Sequence, residues 1–157
     1  MAQQYASTLF TDHDVFYIGR NLDSAICLEG SLKLKEIAYI HSEAYAAGEL
    51  KHGPISLIEP GTLVIAVATI PSLFDKTMAN IREVKARGAK VLCLTLESMA
   101  QEAGKTADYV LPIPETHPLL QPSLNVIPLQ VLAYYAALAR GCDVDKPRNL
   151  AKSVTVE

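Results

Sequence analysis

The sequence predicts an α/β fold, a parallel sheet with helices on both faces, built as one domain over residues 1–157. Short apolar runs of strand length alternate with longer segments of helical spacing, and this alternation is typical of parallel sheets joined by crossover helices. One run, 62–69, is a continuous series of apolar and β-branched residues, which indicates a strand covered on both faces. A chain of 157 residues, half of them hydrophobic, is long enough for one complete core.

Four strands follow from the apolar runs. They are predicted at 15–18, 62–69, 90–96 and 108–114. Pro112 and Pro114 place the last of them at an edge, because proline cannot donate a hydrogen bond to a neighbouring strand. Ligands of such sheets bind beyond the carboxyl ends of the strands, so the loops after Ile18, Thr69 and Leu96 form the expected rim. None of these loops is a glycine-rich phosphate cradle.

Helices are predicted between the strands and after them. The predicted segments are one that begins near Ala25, then 73–87, the short 97–106, and 122–141. Gly88 and Gly141 stand at the ends of two of them, where helices commonly finish in the left-handed conformation. The residues that follow the last helix, 143–157, lack periodicity and form a tail within the same domain.

The helix that begins near Ala25 carries charge where an amphipathic helix is apolar. At about 100° per residue, its hydrophobic side chains cover about half of the circumference. They are Leu22, Ala25, Ile26, Leu28, Leu32, Ile37, Tyr39 and Ile40. Glu29, Lys33 and Glu36 fall within that apolar arc, although charged groups are seldom buried without partners. The predicted solvent face consists of Ser24, Ser31, Lys35 and Ala38.

Two explanations of this charged cluster stay open. Lys33 lies four residues after Glu29 and three before Glu36, so it can pair with either along the helix. The cluster is then either a structural ion pair at a subunit interface or the lining of a functional pocket. The following segment favours a functional site, because His52 stands beside a glycine and a proline on a loop, where a histidine can transfer protons. Loop histidines are also often merely solvated.

Composition argues against several classes of function. The net charge is −3 and no basic run is present, so neither nucleic acid nor a membrane surface is expected as a partner. Cys27, Cys93 and Cys142 are odd in number and far apart, so neither a disulfide framework nor a metal site is expected. A reduced cytoplasm is the expected compartment. The N-terminus lacks the features of a signal peptide, and no apolar run is expected to span a membrane.

Three segments match a known family. They are 28–54 (LEGSLKLKEIAYIHSEAYAAGELKHGP), 126–141 (VIPLQVLAYYAALARG) and 143–157 (DVDKPRNLAKSVTVE). With these segments the chain closely resembles the C-terminal SIS (sugar isomerase) domain of the glutamine–fructose-6-phosphate aminotransferases, also called glucosamine-6-phosphate synthases. The resemblance implies a three-layer α/β/α SIS domain with a parallel sheet of about five strands, the fifth around 42–47.

The resemblance also implies an activity and a set of site residues. The family converts fructose 6-phosphate and ammonia from glutamine into glucosamine 6-phosphate, with no metal or organic cofactor. By motif position, Glu36 is the base that moves a proton between C1 and C2 of the sugar, and Lys33 stabilises the charge of the intermediate. His52 helps to open the sugar ring and reaches across a homodimer into the partner's site. Lys152 forms a Schiff base with the sugar, and Ala151 also lines the site.

The family enzymes are several times longer than this chain. They also contain a glutaminase domain and a first SIS domain whose Ser/Thr-rich loop binds the sugar phosphate, and neither is found in these 157 residues. The chain therefore resembles a piece of such an enzyme, and sugar-phosphate binding with little or no turnover is expected of it alone. Two other possibilities stay open: another SIS enzyme, such as a fructosamine-phosphate deglycase or a sugar-phosphate isomerase, and a non-catalytic SIS module that binds sugar phosphates.

Overall fold

Five parallel strands form one sheet in the computed structural model, which describes residues 2–9 and 14–150. The strands are β1 (Val15–Gly19), β2 (Ser42–Ala46), β3 (Leu63–Ala68), β4 (Lys90–Leu96) and β5 (Tyr109–Ile113). Their order across the sheet is β2-β1-β3-β4-β5, and all neighbouring pairs are parallel. The predicted α/β class is confirmed, and so is the fifth strand implied around 42–47. β5 lies at an edge of the sheet, as its prolines predicted.

Helices cover both faces of this sheet. They are α1 (Ala2–Leu9), α2 (Leu22–Ala38), α3 (Phe74–Lys85), α4 (Ala100–Ala103) and α5 (Gln121–Ala139), with short 3₁₀ helices at Leu50–His52, Pro54–Leu57, Pro71–Leu73 and Glu97–Met99. α2 and α5 pack against each other and α1 packs on α5, whereas α3 contributes to the core on the opposite face. The three-layer arrangement is the predicted one, and α1 is an element that the sequence pattern did not reveal.

Each face of the sheet has its own hydrophobic core. Val15 and Tyr17 of β1 belong to the core beneath α2 and α5, and Phe16 and Ile18 belong to the core beneath α3. β3 divides its side chains in the same alternating way between the two cores, because successive side chains of a strand point to opposite faces. The continuous apolar run at 62–69 is therefore a strand buried on both sides, as predicted.

The predicted orientation of α2 is wrong. Ser31 and Ala38, which the pattern assigned to solvent, are only 2% and 0% exposed, whereas Leu28 and Leu32 are 60% and 42% exposed. The buried face of the helix consists of Asp23, Cys27, Gly30, Ser31, Leu34 and Ala38. In the single chain, the charged cluster and the leucines beside it lie on the outer face of the helix, whereas Ile26 and Ile37 at the borders of the arc pack partly against the core.

Close packing with α5 explains why small residues of α2 face inward. A Cβ atom added at Gly30 would lie only 2.8 Å from Cδ1 of Leu129 on α5 and 2.9 Å from Cε1 of Tyr17 on β1. The hydroxyl of Ser31 donates to the carbonyl oxygen of Ser42 at 3.0 Å, so its burial leaves no unpaired polar group. Hydropathy treats this serine as polar and gives no indication of that tertiary partner.

α5 has the length and hydropathy of a membrane-spanning helix, and in the part of the chain that the structure describes no other helix does. One helix that meets these two criteria does not contradict the expectation that no apolar run spans a membrane. Leu129, Leu132 and Ala136 of α5 are fully buried in the core beneath α2. A central core helix satisfies the same two criteria, so its apolar composition has an explanation within the fold.

Candidate functional site

Three charged side chains of α2 form a linked cluster of ion pairs. Nζ of Lys33 lies 2.8 Å from Oε2 of Glu36 and 3.6 Å from Oε1 of Glu29. The three side chains are 30%, 28% and 36% exposed respectively, so the cluster is half-buried at the surface of the helix. The pairing of Lys33 predicted from its spacing is confirmed, and it involves both carboxylates at once.

The Glu36 carboxylate favours the protonated form of Lys33. The hydrogen bond that Lys33 donates to Glu36 raises the pKa of the lysine above its usual value, against the weaker opposing effect of burial. A lysine attacks a carbonyl group only as the neutral amine, whereas an ammonium group is suited to stabilising negative charge. The geometry therefore favours an electrostatic role for Lys33 over a nucleophilic one.

An open pocket lies beside Glu36, where α2 ends. Its volume is about 340 Å³. The lining residues are Lys35, Glu36, Tyr39, Ile40, His41, Arg148, Asn149 and Leu150. The last turn of α2 and the beginning of the tail, which are far apart in sequence, thus form two walls of the same pocket.

Tyr39 connects these two walls. It ends α2 in the left-handed conformation, with φ 56° and ψ 32°. Its hydroxyl accepts a hydrogen bond from the backbone N–H of Arg148 at 2.8 Å, and Cζ of Arg148 lies 4.2 Å from the centroid of its ring. Neither residue could be assigned to the site from the sequence, because no local pattern connects residues that are 109 positions apart.

Two of the predicted site residues, Ala151 and Lys152, lie outside the described residues. Their roles therefore remain predictions. The described part of the tail ends at Leu150, which is itself a wall of the Glu36 pocket.

His52 lies apart from Glu36 in the single chain. Glu36 precedes β2, and His52 belongs to the short helix that follows β2. A strand of five residues puts roughly 13 Å between its two ends. The His52 ring is 73% exposed, and its Nε2 lies 3.9 Å from Oε2 of Glu49. The structure therefore brings Glu36 and Lys33 together but leaves His52 at the other end of β2.

The expected rim at the carboxyl ends of the strands forms a separate crevice with a buried polar floor. The Asp23 carboxylate, 3% exposed, accepts hydrogen bonds from the backbone N–H and the hydroxyl of Thr69 at 2.8 and 2.6 Å. The Asn125 amide donates to the same carboxylate at 3.3 Å and to the Thr69 hydroxyl at 2.6 Å. Burial raises the pKa of Asp23, although its hydrogen bonds with Thr69 and Asn125 act in the opposite direction.

This rim crevice is poorly suited to an anionic ligand. Its lining is mainly apolar and includes Asp23 and Glu115 but no lysine, arginine or histidine among the described residues. A phosphate group there would meet negative charge without a cation to balance it. The three polar residues at the floor were not identified from the sequence, since they come from three different elements and meet only in the folded chain.

Among the described residues, no group of three or more His, Cys, Asp or Glu side chains is arranged to hold a metal ion. Cys27 and Cys93 are buried free thiols, and Cys142 is a partly buried one.

Sequence comparisons identify relatives along the whole chain. The family model described as the SIS domain matches residues 8–140. The chain is 60% identical over 155 residues to the glutamine–fructose-6-phosphate aminotransferase (isomerizing) of Caldanaerobacter subterraneus, and 58% identical over 155 residues to that of Clostridium tetani. Each match covers 99% of this chain and 25% of the relative. The chain thus spans about a quarter of the length of the curated relatives it matches.

Solved structures share the fold. The C-terminal domain of glucosamine-fructose-6-phosphate aminotransferase from Francisella tularensis is 38% identical with a TM-score of 0.87, over 92% of this chain and 41% of that one. Glucosamine-6-phosphate deaminase from Thermotoga maritima is 26% identical with a TM-score of 0.73, over 99% of this chain and 45% of that one. Because the family model covers most of the chain and the parallel sheet with its two helical layers agrees with it, the chain belongs to the SIS domain family.

Proposed function

We propose that this chain is the C-terminal SIS domain of a glutamine–fructose-6-phosphate aminotransferase and takes part in converting fructose 6-phosphate to glucosamine 6-phosphate. The observation that carries the proposal is the ion-pair cluster of Glu36 and Lys33 beside a pocket that the tail partly encloses. This cluster occurs in a chain that is 60% identical over 155 residues to an enzyme with that name.

Glu36 acts as the base in this proposal. It removes a proton from C1 of the open-chain sugar imine and returns a proton to C2, so that the ketose becomes an aldose. Among the described contacts, Lys33 pairs with Oε2 of Glu36, which leaves Oε1 to accept the proton. The ammonium of Lys33 stabilises the negative charge that develops between C1 and C2. A positioned carboxylate and a fixed cation are the two groups that such a proton transfer requires.

In this proposal the Lys152 amine forms a Schiff base with C2 of fructose 6-phosphate and water is released. Ammonia then displaces the Lys152 amine and gives the C2 imine on which Glu36 acts. Ala151 lines the sugar site beside Lys152. Lys152 follows Leu150, a wall of the Glu36 pocket, by two residues. The raised pKa of Lys33 disfavours that lysine as the nucleophile, and the family resemblance assigns the role to Lys152. The reaction needs no cofactor, since the imine itself withdraws the electrons of the C1–H bond.

A homodimer completes the site. His52 lies beyond the far end of β2 from Glu36, which agrees with the family resemblance, where the histidine that helps to open the sugar ring comes from a second subunit. The outer face of α2 around the charged cluster exposes Leu28 by 60% and Leu32 by 42%, as expected of a surface that another subunit or domain covers. The other partners are a first SIS domain that holds the phosphate and a glutaminase domain that supplies ammonia, in the cytoplasm. Nucleic acid and membranes are not among them.

Domain replacement tests the proposal. This chain is joined in place of the matching C-terminal quarter of the Caldanaerobacter aminotransferase, and formation of glucosamine 6-phosphate from fructose 6-phosphate and glutamine is measured. The hybrid is expected to be active, and Glu36→Gln is expected to lower kcat at least a hundredfold. Glu59→Gln, a matched change at an exposed position, should leave activity unchanged. A folded but inactive hybrid, or full activity of Glu36→Gln, would contradict the proposal.

A further inference from the structure

We propose that Tyr39 is a positioning residue that holds the start of the C-terminal tail in place as a wall of the Glu36 pocket. The contact itself stands on the geometry of this chain alone. Its consequence for catalysis rests on the proposed function, because only that function gives the tail a role in chemistry.

Two contacts of different chemistry join Tyr39 to the tail. The hydrogen bond to its hydroxyl comes from the backbone N–H of Arg148, so it fixes the path of the main chain whatever side chain stands at that position. The guanidinium of Arg148 lies 4.2 Å from the ring centroid, within the range of a cation–π attraction. Loss of the hydroxyl alone therefore removes only the hydrogen bond, whereas loss of the whole ring removes the cation–π contact as well.

The backbone of both walls has an uncommon conformation next to this contact. Tyr39 and Asn149 have positive φ, 56° and 62°, and across residues 2–9 and 14–150 the only other non-glycine residue with positive φ is Asn21. Asparagine tolerates the left-handed region, but a bulky aromatic residue is uncommon there and costs energy. Two of these three residues thus lie in the walls of one pocket, next to the contact between Tyr39 and Arg148.

A second attachment sets the path of the tail before it reaches Tyr39. Oδ1 of Asp143 accepts hydrogen bonds from the backbone N–H groups of Asp145 and Lys146 at 3.0 and 3.1 Å. Val144 packs against the core, and Pro147 restricts the backbone just before Arg148. The segment between the end of α5 and Arg148 is therefore a compact turn, and Tyr39 provides the last described contact before the residues that lead to Lys152.

Glu36 itself does not depend on this contact, because its charge partner is Lys33 on the same helix. A change at Tyr39 that keeps α2 folded should thus loosen the tail and leave the ion-pair cluster intact. The expected effect falls on the binding of the sugar, which the tail helps to enclose, more than on the proton transfer.

Trypsin cleavage after Arg148 measures the attachment directly. Lys146 precedes a proline and so resists trypsin, and the product that ends at Arg148 is identified by intact mass. Cleavage is expected to be at least fivefold faster in Tyr39→Leu than in the unchanged chain, and faster by a smaller factor in Tyr39→Phe, which keeps the ring. Tyr134→Leu, at a 42% exposed position on α5, should cleave at the unchanged rate.

Equal cleavage rates in the unchanged chain and in a folded Tyr39→Leu would overturn the proposal. If Tyr39→Leu does not fold by circular dichroism, Tyr39→Phe decides in the same way, since it loses only the hydroxyl. In the hybrid aminotransferase, Tyr39→Phe should raise KM for fructose 6-phosphate about threefold or more with a smaller change in kcat. Faster cleavage with unchanged KM would also overturn the positioning role. An inactive hybrid would count against the proposed function, and the cleavage rates alone would then test whether Tyr39 holds the tail.

Discussion

The Lys33 ammonium lies 2.8 Å from the Glu36 carboxylate, three residues further along the same helix. Both side chains are about 30% exposed, at 30% and 28%, and water screens such a pair, so its contribution to stability is below about 1 kcal/mol. The pair also has a chemical consequence, because the carboxylate favours the charged form of the amine beside it and raises its pKa.

Glu36→Gln should lower the pKa of Lys33 toward its usual value. A hydrogen bond to a carboxylate favours the charged form of a lysine and raises its pKa, so removal of that negative charge acts in the opposite direction. The pKa of Lys33 is measured by NMR titration of its side-chain carbon and nitrogen signals. Glu97→Gln is the control and should leave that pKa unchanged. A Lys33 pKa that is the same with and without the Glu36 carboxylate would show that the pair does not form in solution.

Asp23→Ala should lower the free energy of unfolding by about 2–4 kcal/mol. The substitution removes the carboxylate that accepts hydrogen bonds from the Thr69 N–H and the Asn125 amide. Buried polar groups without a partner lower the stability of the folded state. Urea denaturation measures the loss. The matched control is Asp75→Ala, also in the first turn of its helix but exposed, which should cost less than about 1 kcal/mol. Similar losses for the two variants would mean that the polar network at the rim contributes little.

Tyr17→Phe should raise the free energy of unfolding by about 1 kcal/mol. Tyr17 is fully buried, and its hydroxyl is, within the described part of the chain, the one buried side-chain polar atom without a hydrogen-bond partner. Burial raises the pKa of that hydroxyl, and its removal relieves the cost of an unpaired polar group. Thermal or urea unfolding gives the comparison.

Tyr5→Phe provides the contrast for that measurement. The Tyr5 hydroxyl donates to the carbonyl oxygen of Val110 at 3.2 Å, so its loss should lower stability by about 0.5–1.5 kcal/mol. If Tyr17→Phe lowers the free energy of unfolding as much as Tyr5→Phe does, the Tyr17 hydroxyl has a hydrogen-bond partner in solution, such as a bound water molecule.

Asp108→Asn should destabilise the protein by about 1 kcal/mol at pH 7 and by progressively less as the pH falls. Burial tends to raise the pKa of Asp108, but hydrogen bonds from Lys85 and from the backbone N–H of Val91 outweigh it and lower the pKa. A carboxyl whose pKa is lowered by folding stabilises the native state above its usual pKa. That contribution is lost as the pH falls through the native-state value.

Urea denaturation of both proteins at several pH values between about 7 and 2 tests this prediction, because the carboxyl titrates below its usual value. Asp75→Asn is the control, and its difference from the unchanged chain should stay small throughout. If the difference in free energy of unfolding between Asp108→Asn and the unchanged chain is the same at all pH values, the Asp108 carboxylate does not stabilise the native state through its charge.

Much of the fold followed from local pattern. The strand at 62–69 could be assigned as doubly buried because a continuous apolar run has no polar face to expose, and β3 divides its side chains between two cores. The pairing of Lys33 followed from spacing along one helix. The inward face of α2 did not follow, because it depends on how closely Gly30 approaches Leu129 and on the acceptor that Ser42 offers to Ser31.

The sequence by itself determined the class of the fold, the positions of four of its five strands, and the ion pairs within α2, since these depend on neighbours within one element. The fifth strand, β2, was indicated only by the family resemblance. The tertiary structure alone decided which side of α2 is buried and brought Asp23, Thr69 and Asn125 together. It also brought Tyr39 to Arg148 and kept His52 away from Glu36. These relationships join residues from different elements, and their geometry is set by packing and chain topology, on which the local order of residues gives no direct information.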